Sequence, residues 1–118
     1  MIARMGAVET SFAEIVWEKG PLPSGELVRL SEDKLNWKKS TTYTVLKRLC
    51  ERGILQNDGG TVSALVTREE YEAAQSESFV EEAFHGSLPA FLTAFTRRRK
   101  LSEAEIRELE DLIRESRG

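Results

Sequence analysis

Apolar positions recur at helical spacing in six stretches of the chain and alternate in one. Ala7 to Lys19 carries Val8, Phe12, Ile15 and Val16 at that spacing, which predicts a helix facing a core. Gly20-Pro21-Leu22-Pro23 breaks it, because proline lacks a donor and restricts the residue before it. Ser24 is placed to cap a second helix that runs to about Lys34, with Leu27, Val28 and Leu30 inward. A connector through Asn36 and Trp37 leads into a third helix, Lys38 to Arg52, with Gly53 as its stop signal. Next come Ile54-Leu55-Gln56-Asn57 and Thr61 to Val66, both β-prone, around Asp58-Gly59-Gly60. That turn predicts a hairpin, since primed turns need positive φ.

The last fifty residues predict three more helices. Thr67 with Glu70, and Ser102 with Glu105, have the spacing of capping boxes, and Ser87 caps a helix between them with Pro89 in its first turn. Their apolar stripes are Tyr71, Ala74, Ser78 and Phe79, then Leu88, Phe91, Leu92 and Phe95, then Ile106, Leu109, Leu112 and Ile113. Three helices and a hairpin are the order of a winged helix-turn-helix domain over residues 1–67. A helical segment, 68–118, follows it. The expected fold is mainly α with a small β-hairpin wing and a three-helix C-terminal dimerisation segment. Three amphipathic helices behind a complete small domain bury their stripes either on that domain or on a second copy. The number of aromatics favours the second copy.

The third helix has two unlike faces. At about 100° per residue, Thr42, Val45, Leu46 and Leu49 share one side, and Ser40, Tyr43, Thr44, Lys47, Arg48 and Glu51 share the other. The first set docks on a core. The second presents hydroxyls, a tyrosine and cations with only one acid, a chemistry suited to base edges and phosphates. The same face on a solvated helix would serve no ligand, and a winged helix can also be a protein-docking module without specific DNA binding.

Net charge is -3, against expectation for a DNA binder, until it is resolved along the chain. Residues 38–53 hold 5 basic and 1 acidic side chain, and residues 84–101 hold 4 and 0, whereas residues 54–83 hold 1 and 7. Association with DNA follows the local field more than the sum. No apolar run approaches the roughly 20 residues of a membrane span, and the N-terminal stretch carries Glu9 and Glu14 in place of a continuous signal-peptide core. These features predict a cytoplasmic protein without direct membrane insertion. One cysteine, Cys50, excludes an internal disulfide.

Ile15-Val16-Trp17-Glu18, Ser24-Gly25-Glu26-Leu27-Val28, the block Lys39-Ser40-Thr41-Thr42-Tyr43-Thr44-Val45-Leu46-Lys47-Arg48-Leu49 and Gly53-Ile54-Leu55 together resemble the BlaI/MecI/CopY family of penicillinase-type repressors. The resemblance spans nearly the whole chain. It implies a dimeric transcriptional repressor that binds a palindromic, double-stranded operator through its third helix. By it, Ser40, Thr41, Tyr43 and Thr44 fall at base- or phosphate-contacting positions and Arg48 at a basic position near the backbone. Lys38, Lys39 and Lys47 complete the expected DNA-binding set. Tyr43 departs from the arginine that many β-lactam-responsive relatives carry, and the strand Ile54–Asp58 lacks the cations of many wings.

The resemblance also implies dimerisation through the C-terminal helices, on Tyr71, Phe79, Leu88, Phe91, Leu92, Phe95, Ile106, Leu109, Leu112 and Ile113. In β-lactam-responsive relatives a membrane-anchored metalloprotease cuts before a phenylalanine, and the matching bond is Ala94–Phe95, with alanine in place of their asparagine. The basic run Arg97-Arg98-Arg99-Lys100 reads either as a solvated helix end or as a contact to phosphate or an acidic partner. No metal or cofactor is expected: Cys50 reads as packing and the single His85 as a turn residue, where soft-metal sensing needs several such ligands. Trp17 and Trp37 read as structural, and no nucleophile is paired with a base, so no enzyme is expected.

Overall fold

The computed structural model describes residue 2 and residues 4–117. Among them are six helices and three strands. These are α1 (Ala7–Lys19), β1 (Leu22–Pro23), α2 (Ser24–Leu35), α3 (Lys39–Glu51), β2 (Leu55–Asp58), β3 (Thr61–Ala64), α4 (Arg68–Phe84), α5 (Leu88–Arg98) and α6 (Glu103–Glu115). The winged-helix order is therefore present, with a helical segment behind it.

The wing is a three-stranded antiparallel sheet in the order β1-β3-β2, larger than the hairpin expected. Leu22 faces Val62 and Pro23 faces Thr61. A Gly-Pro-Leu-Pro stretch reads as a breaker, yet proline is tolerated on an edge strand, where no ladder donor is needed. The turn between β2 and β3 is Gly59 and Gly60, at φ 59° and 93°. Both central residues have the positive φ of a primed turn, and the Asn57 side-chain oxygen accepts from Gly60 N–H at 3.1 Å.

The core collects Phe12, Ile15 and Val16 from α1, Leu27 and Leu30 from α2, Val45, Leu46 and Leu49 from α3, and Ile54, Leu55 and Val62 from the sheet. Val8 is a correction: placed on the inward face by spacing, it is 59% exposed, because the buried stripe of α1 begins a turn later at Phe12. Ser24 is another. The N-cap of α2 is Pro23, without a side-chain cap bond, and Ser24 is the first helical residue. Its N–H is taken by Gly60 O at 2.8 Å.

α3 ends by a Schellman arrangement. Gly53, at φ 76°, donates to Cys50 O, and Ile54 donates to Leu49 O, each at 3.0 Å. Leu49 and Ile54 are both fully buried, which supplies the apolar contact that accompanies this cap. Trp37 stacks on Phe12 at 5.3 Å, and the Trp17 indole N–H donates to Val66 O at 2.8 Å. Both tryptophans thus serve the fold.

The chain divides within α4 into two compact units, Met1–Glu77 and Ser78–Gly118. The first turn of α4 is set by the box between Thr67 and Glu70, with bonds of 3.0 and 3.1 Å. Tyr71 corrects the expected dimerisation set. It is 7% exposed, lies 5.9 Å from Trp17, and its hydroxyl accepts from Met5 N–H at 2.8 Å. A phenol able to reach an orphan backbone donor is better satisfied there than on an outward stripe. In the second unit Ser87 caps α5, Ser102 and Glu105 form a complete capping box on α6, and Phe84 and Phe91 meet edge-to-face at 5.6 Å.

Tyr71→Phe removes only the hydroxyl and strands Met5 N–H in a buried place. It should cost about 1–3 kcal/mol in urea unfolding with an unchanged m-value. A variant as stable as the parent would show that this N–H is satisfied by something else.

Candidate nucleic-acid interface

Docking one face of α3 turns the other outward. Thr42, Val45, Leu46 and Leu49 are buried, while Ser40, Thr41, Tyr43, Thr44, Lys47 and Arg48 are exposed. Lys38 and Lys39 precede them at the helix start, both exposed. All eight expected residues are therefore solvent-exposed along α3 and its start.

The start of α3 is electrostatically unusual. Lys38 is the N-cap and makes no side-chain cap bond, and the first turn holds no acid. Helix starts ordinarily recruit acids and capping hydroxyls, because the first N–H groups are orphaned and carry partial positive charge. Here cations add to that charge instead. Among the described residues Lys38, Lys39 and Lys47 have no acidic partner within 4 Å. The result is a positive, uncapped end suited to an anion.

The hydroxyls are already partly committed. Thr44 Oγ1 donates to Ser40 O at 2.9 Å, and the Tyr43 hydroxyl lies 3.1 Å from the Ser24 hydroxyl. Arg48 is tethered from behind by Glu9, at 3.5 Å, and Glu9 also accepts from Arg52 Nη1 at 3.2 and 3.3 Å. Arg52 in turn donates to Arg4 O. Glu9 is further held by Gly6 N–H at 3.1 Å, and this backbone bond, above the two guanidinium groups, keeps its carboxyl below the usual carboxylate range despite partial desolvation. Glu9, Arg52 and Ser24 were not among the expected DNA-binding residues, and Ser24 stood out only as a helix cap. Nothing local points from Glu9 to the far end of α3, because the two are joined only by tertiary packing.

The wing adds no cation. Gln56, Asn57 and Asp58 are exposed along β2, and Asp58 is the only charged side chain between Ile54 and Thr67. Burial pushes the Cys50 thiol up, away from the thiolate that metal binding requires.

In the second unit Phe79, Leu88, Phe95, Ile106, Leu112 and Ile113 are exposed, and Phe91, Leu92 and Leu109 are half-buried. Ala94 and Phe95 lie inside α5. Arg97 and Arg98 end that helix, and Arg99 lies 3.6 Å from Glu105 and 5.8 Å from the Phe95 ring centre. No helix among the described residues is long and apolar enough to cross a membrane.

The family model described as Penicillinase repressor matches residues 5–115. A "Penicillinase repressor" of Bacillus licheniformis is 23% identical over 121 residues, covering 99% of this chain and 94% of that protein. An uncharacterised 16.5 kDa protein from Latilactobacillus sakei is 28% identical over 109 residues, covering 89% of this chain and 75% of that protein. The solution structure of monomeric Bacillus licheniformis BlaI in complex with the blaP half-operator superposes with a TM-score of 0.52 at 19% identity. It covers 60% of this chain and 92% of that one. It shares the fold.

Because the folded-state pKa of Glu9 is lowered from 4.5, its contribution to stability is complete above that value and is lost as pH falls through the lowered one. Glu9→Gln should lower the urea midpoint at neutral pH and flatten the loss of stability between about pH 5 and pH 3. Parallel pH profiles for parent and variant would show that the Glu9 cluster does not hold the end of α3.

Proposed function

The chain belongs to the penicillinase repressor family, and from that premise we propose that it is a cytoplasmic, homodimeric, sequence-specific DNA-binding transcriptional repressor acting on a palindromic operator. The observation that carries this reading is the outward face of α3, where Lys38, Lys39 and Lys47 have no acidic partner within 4 Å among the described residues, at and beyond a helix start without a side-chain cap. A phosphate placed there meets orphaned N–H groups, helix-dipole charge and ammonium groups together. Lys39, Ser40, Thr41, Tyr43 and Thr44 then read or set the register on base edges, while Lys38, Lys47 and Arg48 hold phosphates. With a cation-free wing, α3 supplies most of the affinity. Nothing in this assignment is catalytic.

Homodimerisation is supported by the second unit. Among the described residues from Ser78 onward none is buried, although Phe91, Phe95, Leu101, Leu109 and Leu112 line a cleft of about 610 Å³ between α5 and α6. About forty residues, the last turns of α4 with α5 and α6, that bury no side chain among those described are half of a core, and a two-fold partner supplies the other half. That symmetry also presents two copies of α3 to two half-sites. Cleavage of Ala94–Phe95 by a sensor protease would require α5 to unwind, since the bond lies inside the helix.

Two measurements test the reading. Arg48→Ala should weaken binding to operator and to random duplex alike, and reduce the slope of log K against log salt by about 0.9, in mobility-shift titrations against DNA upstream of the chain's own gene. Unchanged affinity on both duplexes would remove Arg48 from the interface. Light scattering should return twice the 13.3 kDa chain mass at micromolar concentration, and Leu109→Glu should return the single mass. A monomeric parent would count against both the dimer and the palindrome.

A further inference from the structure

Tyr43 carries the largest side chain on the outward face of α3, and its hydroxyl has a partner before any ligand arrives. Ser24 Oγ lies 3.1 Å away, in the first turn of α2. Ser24 is not on a loose loop. It is half-buried, its N–H is fixed by Gly60 O at 2.8 Å, and it follows Pro23, which pairs with Thr61 across the sheet. The sheet and the start of α2 therefore hold the Ser24 oxygen where α3 brings the phenol.

Each hydroxyl has one hydrogen and two lone-pair acceptor sites. A phenol, with an ordinary pKa near 10, is a far stronger acid than an aliphatic alcohol and so the better donor, while the alcohol oxygen is the better acceptor. Tyr43 thus donates and Ser24 accepts. With its single hydrogen spent, the Tyr43 oxygen has only lone pairs left for a ligand. Thr44 follows the same rule, its hydrogen being spent on Ser40 O.

We propose that Ser24 determines sequence specificity through Tyr43: by taking the phenol's hydrogen it makes Tyr43 an acceptor that selects an amino base, adenine or cytosine, at one position of each half-site and rejects guanine and thymine there. In the major groove adenine N6 and cytosine N4 present donors, where guanine O6 and thymine O4 present acceptors. A keto oxygen facing the committed phenol meets lone pairs with no hydrogen between them. The proposal rests on the reading of α3 as the DNA-reading helix.

The test is binding-site selection from a random-sequence duplex library with the full-length chain, Tyr43→Phe and Ser24→Ala. The parent should enrich a motif with adenine or cytosine at one position per half-site, and exchange for a keto base should cost about 5-fold in affinity, the worth of one neutral hydrogen bond. Tyr43→Phe should lose that preference and keep the rest of the motif. Ser24→Ala should admit amino and keto bases alike at that position, because the freed phenol can donate or accept. Guanine or thymine at the Tyr43-dependent position would overturn the proposal. So would a Ser24→Ala variant that binds every sequence more weakly while keeping the parent's preference, the signature of a merely structural serine. A motif insensitive to both substitutions would sink this inference and leave the repressor reading standing, whereas no enriched motif from the parent would sink both.

Discussion

Burial of Val45, Leu46 and Leu49 in the core, where α3 packs on α2 and β2, is the contact on which the first unit depends. Full burial of a side chain of this size contributes about 1.5–3 kcal/mol, so the stripe decides how α3 is rotated about its axis. Once that rotation is set, a 3.6-residue repeat leaves no freedom for the other half. Ser40, Tyr43, Thr44, Lys47 and Arg48 must face water or a ligand. The Gly53–Ile54 cap then ends the helix and returns the chain to the core.

That rotation also converts an acidic protein into one with a localised positive surface. Fields between exposed charges fade over about 8–10 Å at ordinary ionic strength. A phosphate near the start of α3 therefore responds to the lysines there more than to the net charge of the chain. Glu9 pairs with cations at the other end of the helix. It lies behind Arg48 and Arg52, bound to Gly6 N–H, where it orients guanidinium groups rather than covering the lysines. The exposed Arg48 pair adds little stability by itself, and its value is in fixing direction, whereas the better shielded Arg52 pair contributes to the stability that Glu9 confers.

The second unit obeys a different constraint. Its helices are well formed locally, with complete caps at Ser87 and Ser102, but its apolar groups find too few partners within one chain. Good caps settle where helices begin, whereas burial needs surface area that three short helices do not contain. Tyr71 shows the contrast inside a single helix. It finds a donor and an aromatic neighbour in the first unit, while Phe79, two turns later, is half exposed.

Local physics made much of this legible in the chain itself. Helical periodicity marked six helices, the Asp-Gly-Gly turn marked the wing, two capping boxes and Ser87 marked helix starts, and the two-faced pattern of residues 38–53 marked the candidate interface. Each depends on residues within a few positions of one another. Tertiary structure alone decided what joins distant segments: Met5 to Tyr71, 66 residues apart, Arg52 to Glu9, 43 apart, and Tyr43 to Ser24, 19 apart. It also recruited Leu22–Pro23 as a strand, which no local rule predicts from a proline-flanked dipeptide. Spacing along the chain dictates which face of an element is apolar. Which side chains then meet across elements depends on how those faces pack, because those partners lie far apart in sequence and no local rule relates them.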